Sequence, residues 1–126
     1  MEYQFYEAFM ADSLIQEKVG QRIKFYEYPD TDDLKEGPFI VIDPLDPPLP
    51  SDYADNQWLT EDYLYQIEVW SLDKTDRNLV ARRIQQILWD QFNFGNYGGG
   101  VDEWDRDTGI YREARRYRGK AYVDPL

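Results

Sequence analysis

The spacing of hydrophobic and polar positions changes once, sharply, in the middle of the chain. From Tyr63 to Leu72 it alternates, with Tyr63, Tyr65, Ile67 and Val69 on one face and Leu64, Gln66, Glu68 and Trp70 on the other. That period, in residues rich in rings and β-branches, predicts a half-buried strand. From Asp76 to Phe92 the period lengthens: Leu79/Val80, Ile84, Ile87/Leu88 and Phe92 recur at three and four, while Arg77, Arg82, Arg83, Gln85, Gln86 and Asp90 fill the remaining turn. This predicts an amphipathic helix, about 25 Å long at 1.5 Å per residue. Asp73 or Thr75 supplies its cap, and Asp76 suits the positive end of its dipole.

The flanking segments follow the same rules. Residues 2–18 predict a first helix on a Tyr3, Tyr6, Phe9/Met10, Leu14 stripe, broken at Asp12-Ser13, where Asp12 caps a second short turn, and ended by Gly20 at positive φ. Arg22–Glu27 and Pro38–Ile42 predict two short strands, the second with an unbroken apolar run that suits an interior position. From Asp43 to Gln57 four prolines (Pro44, Pro47, Pro48, Pro50) and Asp43, Asp46, Asp52 and Asp55 predict a long loop. Trp58-Leu59 then resumes the sheet. Residues 93–100 predict a flexible, glycine-rich connection, followed by a hairpin of Val101–Arg106 and Ile110–Val123 around Asp107-Thr108-Gly109. The expectation is one α+β domain over residues 1–126, with a mixed or mainly antiparallel sheet of about five strands packed against an N-terminal helix and one long amphipathic helix.

Charge adds an asymmetry that periodicity does not show. The chain of 126 residues carries a formal charge of −11. Residues 1–60 hold 4 basic and 13 acidic side chains (net −9) and residues 61–126 hold 10 and 12 (net −2). Yet Arg112, Arg115, Arg116, Arg118 and Lys120 crowd the last strand around a single acid, Glu113. A polyanionic total opposes non-specific binding to nucleic acid or anionic lipid, and the split suits head-to-tail self-association as well as it suits ordinary solvation. The basic strand itself reads three ways: a partner for acids of the same or a neighbouring copy, a nucleic-acid patch with Tyr111, Tyr117 and Tyr122 for stacking, or an edge strand defended by charge. The excess of rings, 4 Trp, 11 Tyr and 6 Phe, favours protein interfaces.

Candidate chemistry is sparse. With no histidine and no cysteine, the commonest general base and all thiolate chemistry are missing. The absent cysteines, with a start lacking a signal-peptide pattern, predict a protein kept in cytosol-like conditions, and the longest clean apolar run, Phe39–Ile42, is far short of the roughly 20 residues of a membrane span. Asp107-Thr108-Gly109 matches the short signature of an aspartic-protease site, but its neighbours Asp105, Arg106, Ile110 and Tyr111 read as a hairpin turn with Gly109 at positive φ. Asp102, Glu103, Asp105 and Asp107 have the oxygens for Ca²⁺ or Mg²⁺ but not the spacing of a calcium loop. Gly98-Gly99-Gly100 follows a helix and so forms no phosphate cradle. No catalytic residue, cofactor or metal is expected.

One family resemblance sharpens this. The order helix, strand, strand, long connection, Tyr65-Gln66-Ile67-Glu68-Val69-Trp70-Ser71, helix with Ala81, Ile84 and Leu88, then Asp107-Thr108-Gly109-Ile110-Tyr111-Arg112 opening a last strand, resembles the tail-completion or tail-terminator (tail-to-head joining) proteins of long-tailed bacteriophages. The resemblance implies a non-enzymatic virion subunit at the tail-head junction, assembled in the bacterial cytoplasm as a ring, usually hexameric, whose partners are the tail tube and the head connector. Under that expectation Arg112, Arg115, Arg116, Arg118 and Lys120 meet acids of a neighbouring subunit, and Pro47, Pro48 and Tyr97 complete the candidate interface. The runner-up, drawn from the charge alone, is an acidic DNA mimic that inhibits a host DNA-binding protein.

Overall fold

The structure is a computed structural model that describes residues 1–123; the expected domain's last residues, Asp124, Pro125 and Leu126, lie outside the described residues. In chain order it contains α1 (Glu2–Ala11), α2 (Ser13–Lys18), β1 (Ile23–Phe25), a 3-10 turn at Asp33–Glu36, β2 (Phe39–Pro44), β3 (Leu49–Ala54), β4 (Gln57–Ser71), α3 (Lys74–Phe92), β5 (Gly95–Asn96), β6 (Val101–Trp104) and β7 (Tyr111–Tyr122). The fold is α+β. Among the described residues seven strands form one mixed sheet in the order β1-β2-β4-β7-β5, with β3 pairing β4 beyond β2 and β6 pairing β7 beside β5. Only β1 and β2 run parallel; every other pair is antiparallel.

Strand β4 is the spine. Its Ile67 and Val69 stand opposite Ile42 and Ile40 on β2, and its Tyr65 opposite Tyr117 on β7. These side chains form the sheet's contribution to the main core, which Phe5 and Phe9 of α1, Ile15 of α2, and Val80, Ile84, Ile87 and Leu88 of α3 cover. Burying each large apolar side chain contributes about 1.5–3 kcal/mol. Phe5 sits at the centre, edge-on to the rings of Tyr65, Phe92 and Phe94 at 5.0–5.3 Å. The opposite face carries a smaller cluster of Leu34, Phe39 and Ile110 with Trp70.

The caps fall where short polar side chains allow them. Asp12 accepts from the Ile15 amide at 3.1 Å to start α2, Gly20 at φ +61° follows that helix, and Asp73, not Thr75, accepts from the Asp76 amide at 2.9 Å to start α3. Asn93 ends α3 in the left-handed region, and the Phe94 amide turns back to the Leu88 carbonyl at 2.9 Å. That reversal drives Phe94 into the core, where it lies on Gly119; any Cβ there would fall inside the ring of Phe94. Gly109, at φ +77°, makes the expected hairpin turn.

Five expectations need correcting. Tyr3, expected on the apolar stripe of the first helix, is exposed, and Phe5 takes the core position beside Phe9. Residues 43–57 are no loop: β2 extends through Pro44, β3 fills Leu49–Ala54, and a tight turn at Asp55-Asn56, both at positive φ, leads straight into β4. Pro44 ends β2, Pro47 and Pro48 fall in the connection that follows, and Pro50 is tolerated within β3 because an edge strand donates on only one side. The connection at 93–100 is not uniformly flexible, since Phe94 is core and β5 pairs with β7. Leu79 points to solvent and not to the core. Arg77, assigned to the polar side of α3, is only 1 % exposed, because the first turn of the helix lies over β7 and β6. Its guanidinium donates to Asp102 at 2.7 Å and to the Arg112 carbonyl at 3.3 Å, and lies 5.8 Å from the Tyr111 ring.

Candidate partner-binding surface

Near the helices, the sheet's outer face is closed by a buried charge network. Glu68 is fully buried; it accepts from Arg112 Nε at 2.5 Å, from Trp70 Nε1 at 3.1 Å and from Gln66 Nε2 at 2.9 Å. Arg112 also reaches Glu103 on β6 at 2.8 Å and lies over the Trp70 ring at 5.6 Å. Burial works against its charge, and the bonds to Glu68 and Glu103 outweigh that, so the guanidinium is held above its ordinary pKa. A buried carboxylate is tolerable only with its acceptor sites filled this way. Next to it Tyr28 donates to Asp43 at 2.8 Å; that bond, reinforced by burial, pushes its hydroxyl up to about 12.

Farther along, the same sheet narrows to a three-stranded ribbon made of β3, the first half of β4 and the end of β7. Cross-strand register places Leu49 beside Asp62, Ser51 beside Thr60, Tyr53 beside Trp58, and Tyr122 on the far side of Thr60. Leu49, Tyr53, Trp58 and Tyr122 therefore share the outer face, and all four are exposed, Tyr122 to 83 %. Together they make an exposed apolar patch, the kind of surface through which proteins meet partners. Acids flank them. Residues 46–62 carry Asp46, Asp52, Asp55, Glu61 and Asp62 and no basic side chain. Asp52 adopts φ +53° within β3, and its carboxylate accepts from the Thr60 hydroxyl at 2.6 Å and from Lys120 at 3.2 Å. These bonds, Thr60 first, hold the carboxyl below its usual range.

The residues singled out by sequence divide into three groups. Arg112, Arg115, Arg118 and Lys120 all find acids within the chain: Arg112 takes Glu68 and Glu103, Arg115 takes Glu113 along with Gln85 at 2.6 Å, Arg118 takes Asp62 at 3.3 Å, and Lys120 takes Asp52. Alternation separates them, with Arg115 on the helix side and the others on the outer face. Arg116 has no side-chain partner among the described residues; it borders a depression of about 290 Å³ beside Gly98–Gly100. Pro47, Tyr97 and Arg118 come together: with Asp46, Leu49 and Leu64 they line a depression of about 200 Å³ at the root of the ribbon, where Arg118 lies 5.1 Å from the Tyr97 ring. Pro48 is exposed in the turn beside it.

The acids considered for a metal are otherwise engaged. Asp102 bonds Arg77, Glu103 bonds Arg112, and Asp105 accepts from the Asp107 amide at 2.9 Å within the hairpin turn. Among the described residues no three acids converge where one ion could be held, and no helix is long and apolar enough to cross a membrane.

Two surface features escaped the periodicity argument. One is the ribbon face itself, whose signal was the two-residue Asp55-Asn56 turn between alternating segments. The other is a stripe along the solvent side of α3 formed by Leu79, Arg82, Gln86 and Trp89, with a basin of about 480 Å³ bounded by Arg82, Gln85, Gln86, Trp89 and Asp90. A hydrophobic residue at either end of a polar stripe is the trace it leaves in the sequence.

No family model and no curated protein matches the chain. Among solved structures, a chain of the virion of a native gene transfer agent particle superposes with a TM-score of 0.64, covering 94 % of this chain and 92 % of that chain at 13 % sequence identity. The two chains share a fold over nearly their whole lengths.

Proposed function

We propose that this protein is a structural component of a phage-like virion, and that within it the protein completes the tail and joins it to the head connector as a ring, hexameric in the assembled particle. The single observation that carries the reading is the near full-length likeness to a chain of a gene transfer agent virion. It agrees with the independent resemblance of the strand-helix unit and the Thr108–Arg112 opening to tail-completion proteins. The ribbon supports it as well: a preformed ladder that exposes Leu49, Tyr53, Trp58 and Tyr122 serves contact with other particle components. In this reading the protein acts at the tail-head junction, after synthesis in the host cytoplasm, through the surfaces it offers and without catalysis. On the outer face Arg112, Arg118 and Lys120 interleave with Glu68, Asp62 and Asp52, an alternation of sign unlike a run of DNA phosphates.

Electron microscopy of particles from cells lacking the gene tests it. The expected defect is unjoined heads accompanied by tails of irregular length; normal, joined particles would overturn the reading.

A further inference from the structure

The sheet's ribbon and the solvent side of α3 are complementary to each other, and they face opposite ways. Tyr53, Trp58 and Tyr122 occupy the sheet face turned away from the helices. Val80, Ile84, Ile87 and Leu88 hold α3 against the other sheet face, so its Leu79, Arg82, Gln86, Trp89 stripe points outward from that layer. Within one chain the two surfaces therefore cannot meet. One is acidic in its hairpin: of the five carboxylates over residues 46–62, Asp52 and Asp62 pair with Lys120 and Arg118 of β7, and Asp46, Asp55 and Glu61 have no ion pair among the described residues. The other centres on Arg82, an exposed cation with no partner among the described residues, between two exposed apolar side chains, Leu79 and Trp89. Of these, Arg82 and Trp89 are of the residue types enriched at interface hot spots.

We propose that the occupant of the α3 stripe is the β3–β4 hairpin of a second copy of this chain. Tyr53 and Trp58 lie against Leu79 and Trp89, their edges filling the basin of about 480 Å³, and the carboxylate of Asp55 faces Arg82. Because different patches meet, the contact is heterologous: each copy offers a hairpin to one neighbour and a helix to the other, which closes into a ring or continues as a filament. The inference rests on the ring reading and adds to it the two surfaces that join the subunits. It leaves Arg112, Arg115, Arg118 and Lys120 to their partners within the chain, and makes the acid of one subunit and the helix cation of the next the specific pair.

The absence of cysteine gives a clean test on the full chain. Single variants Tyr53→Cys and Gln86→Cys, both at exposed positions, are purified, checked for unchanged thermal midpoints, and mixed at high concentration under mild oxidation while mass is followed by light scattering. The pairing predicts a disulfide joining the Tyr53→Cys copy to the Gln86→Cys copy well in excess of either symmetric crosslink, lost when the Gln86→Cys copy also carries Arg82→Glu. Charge reversal at Arg82 should weaken association by about tenfold or more, the size of one charge pair across an interface, and Asp55→Arg in the other copy should recover part of it. Self-association with only symmetric crosslinks, or none, overturns the pairing and leaves the virion reading standing. A chain that stays monomeric and uncrosslinked at about 1 mM, where contacts worth about 4 kcal/mol already register, overturns the pairing too, and the particle defect then judges the virion reading separately.

Discussion

The two halves of β4 obey the same alternation and do opposite things. From Tyr65 to Ser71 one face is sealed by three helices and the other by Glu68 with its three donors, so almost nothing on this half meets water. From Gln57 to Asp62 the ladder continues, with β3 on one side and β7 on the other, but no side chain of Gln57, Trp58 or Leu59 is covered. Ladder hydrogen bonds and period are therefore common to both halves, and what differs is whether anything packs on the sheet. The inner half carries the core, and the outer half continues its ladder with its side chains exposed.

That contrast can be broken at several strengths. The largest effect belongs to Phe5→Ala, which removes the ring at the centre of the edge-on cluster; chemical denaturation should report a loss of about 3–5 kcal/mol. Glu68→Ala comes next. It strands the Trp70 and Gln66 donors and one side of Arg112, and because Arg112 keeps Glu103 and some water the expected loss is about 2–4 kcal/mol. Asp12→Ala is smaller, about 1 kcal/mol at neutral pH, the usual cost of an N-cap, and it carries a pH signature. Burial raises the Asp12 carboxyl, but Arg83 at 2.8 Å and the Ile15 and Leu14 amides outweigh it, so its folded pKa lies below 3.8. A depressed carboxyl stabilises above its unfolded value and loses that contribution as pH falls through the folded one. The gap between wild type and Asp12→Ala should therefore stay constant from neutrality to about pH 5 and close below 3.8. The smallest stability change is expected in the outer half: Trp58→Ala should stay within about 0.5 kcal/mol.

The same division explains what the sequence made legible. Where a segment buries one face, its period is enforced by the core, and so the strand from Tyr63, the helix to Phe92, the break at Asp12 and the turn at Gly109 could all be placed from pattern alone. Where nothing covers the sheet, composition misleads. The prolines of residues 43–57 looked like a loop, yet Pro44 only ends β2, Pro47 and Pro48 occupy the connection, and Pro50 sits in an edge strand that asks for donors on only one side. Buried polar residues were also invisible: Arg77 reads as solvent-facing until its partner Asp102, 25 positions later, is brought under it by the β6–β7 hairpin. Phe94 could not be assigned either, since its slot is created by the missing side chain of Gly119 on another strand. Of the candidate interface, Pro47, Tyr97 and Arg118 converge on one depression, and the register of the last strand follows its alternation, with Arg115 on one side of the sheet and Arg112, Arg116, Arg118 and Lys120 on the other.

On the reading proposed above, the exposed half of the sheet serves contact within a particle and contributes little to folding. A chain carrying Tyr53→Ala together with Trp58→Ala, put in place of the wild-type gene in particle-producing cells, tests it most directly when the thermal midpoint of the purified variant is measured alongside electron micrographs of the particles. An unchanged midpoint with unjoined heads and tails is expected. A variant with the wild-type midpoint whose particles assemble normally would contradict it.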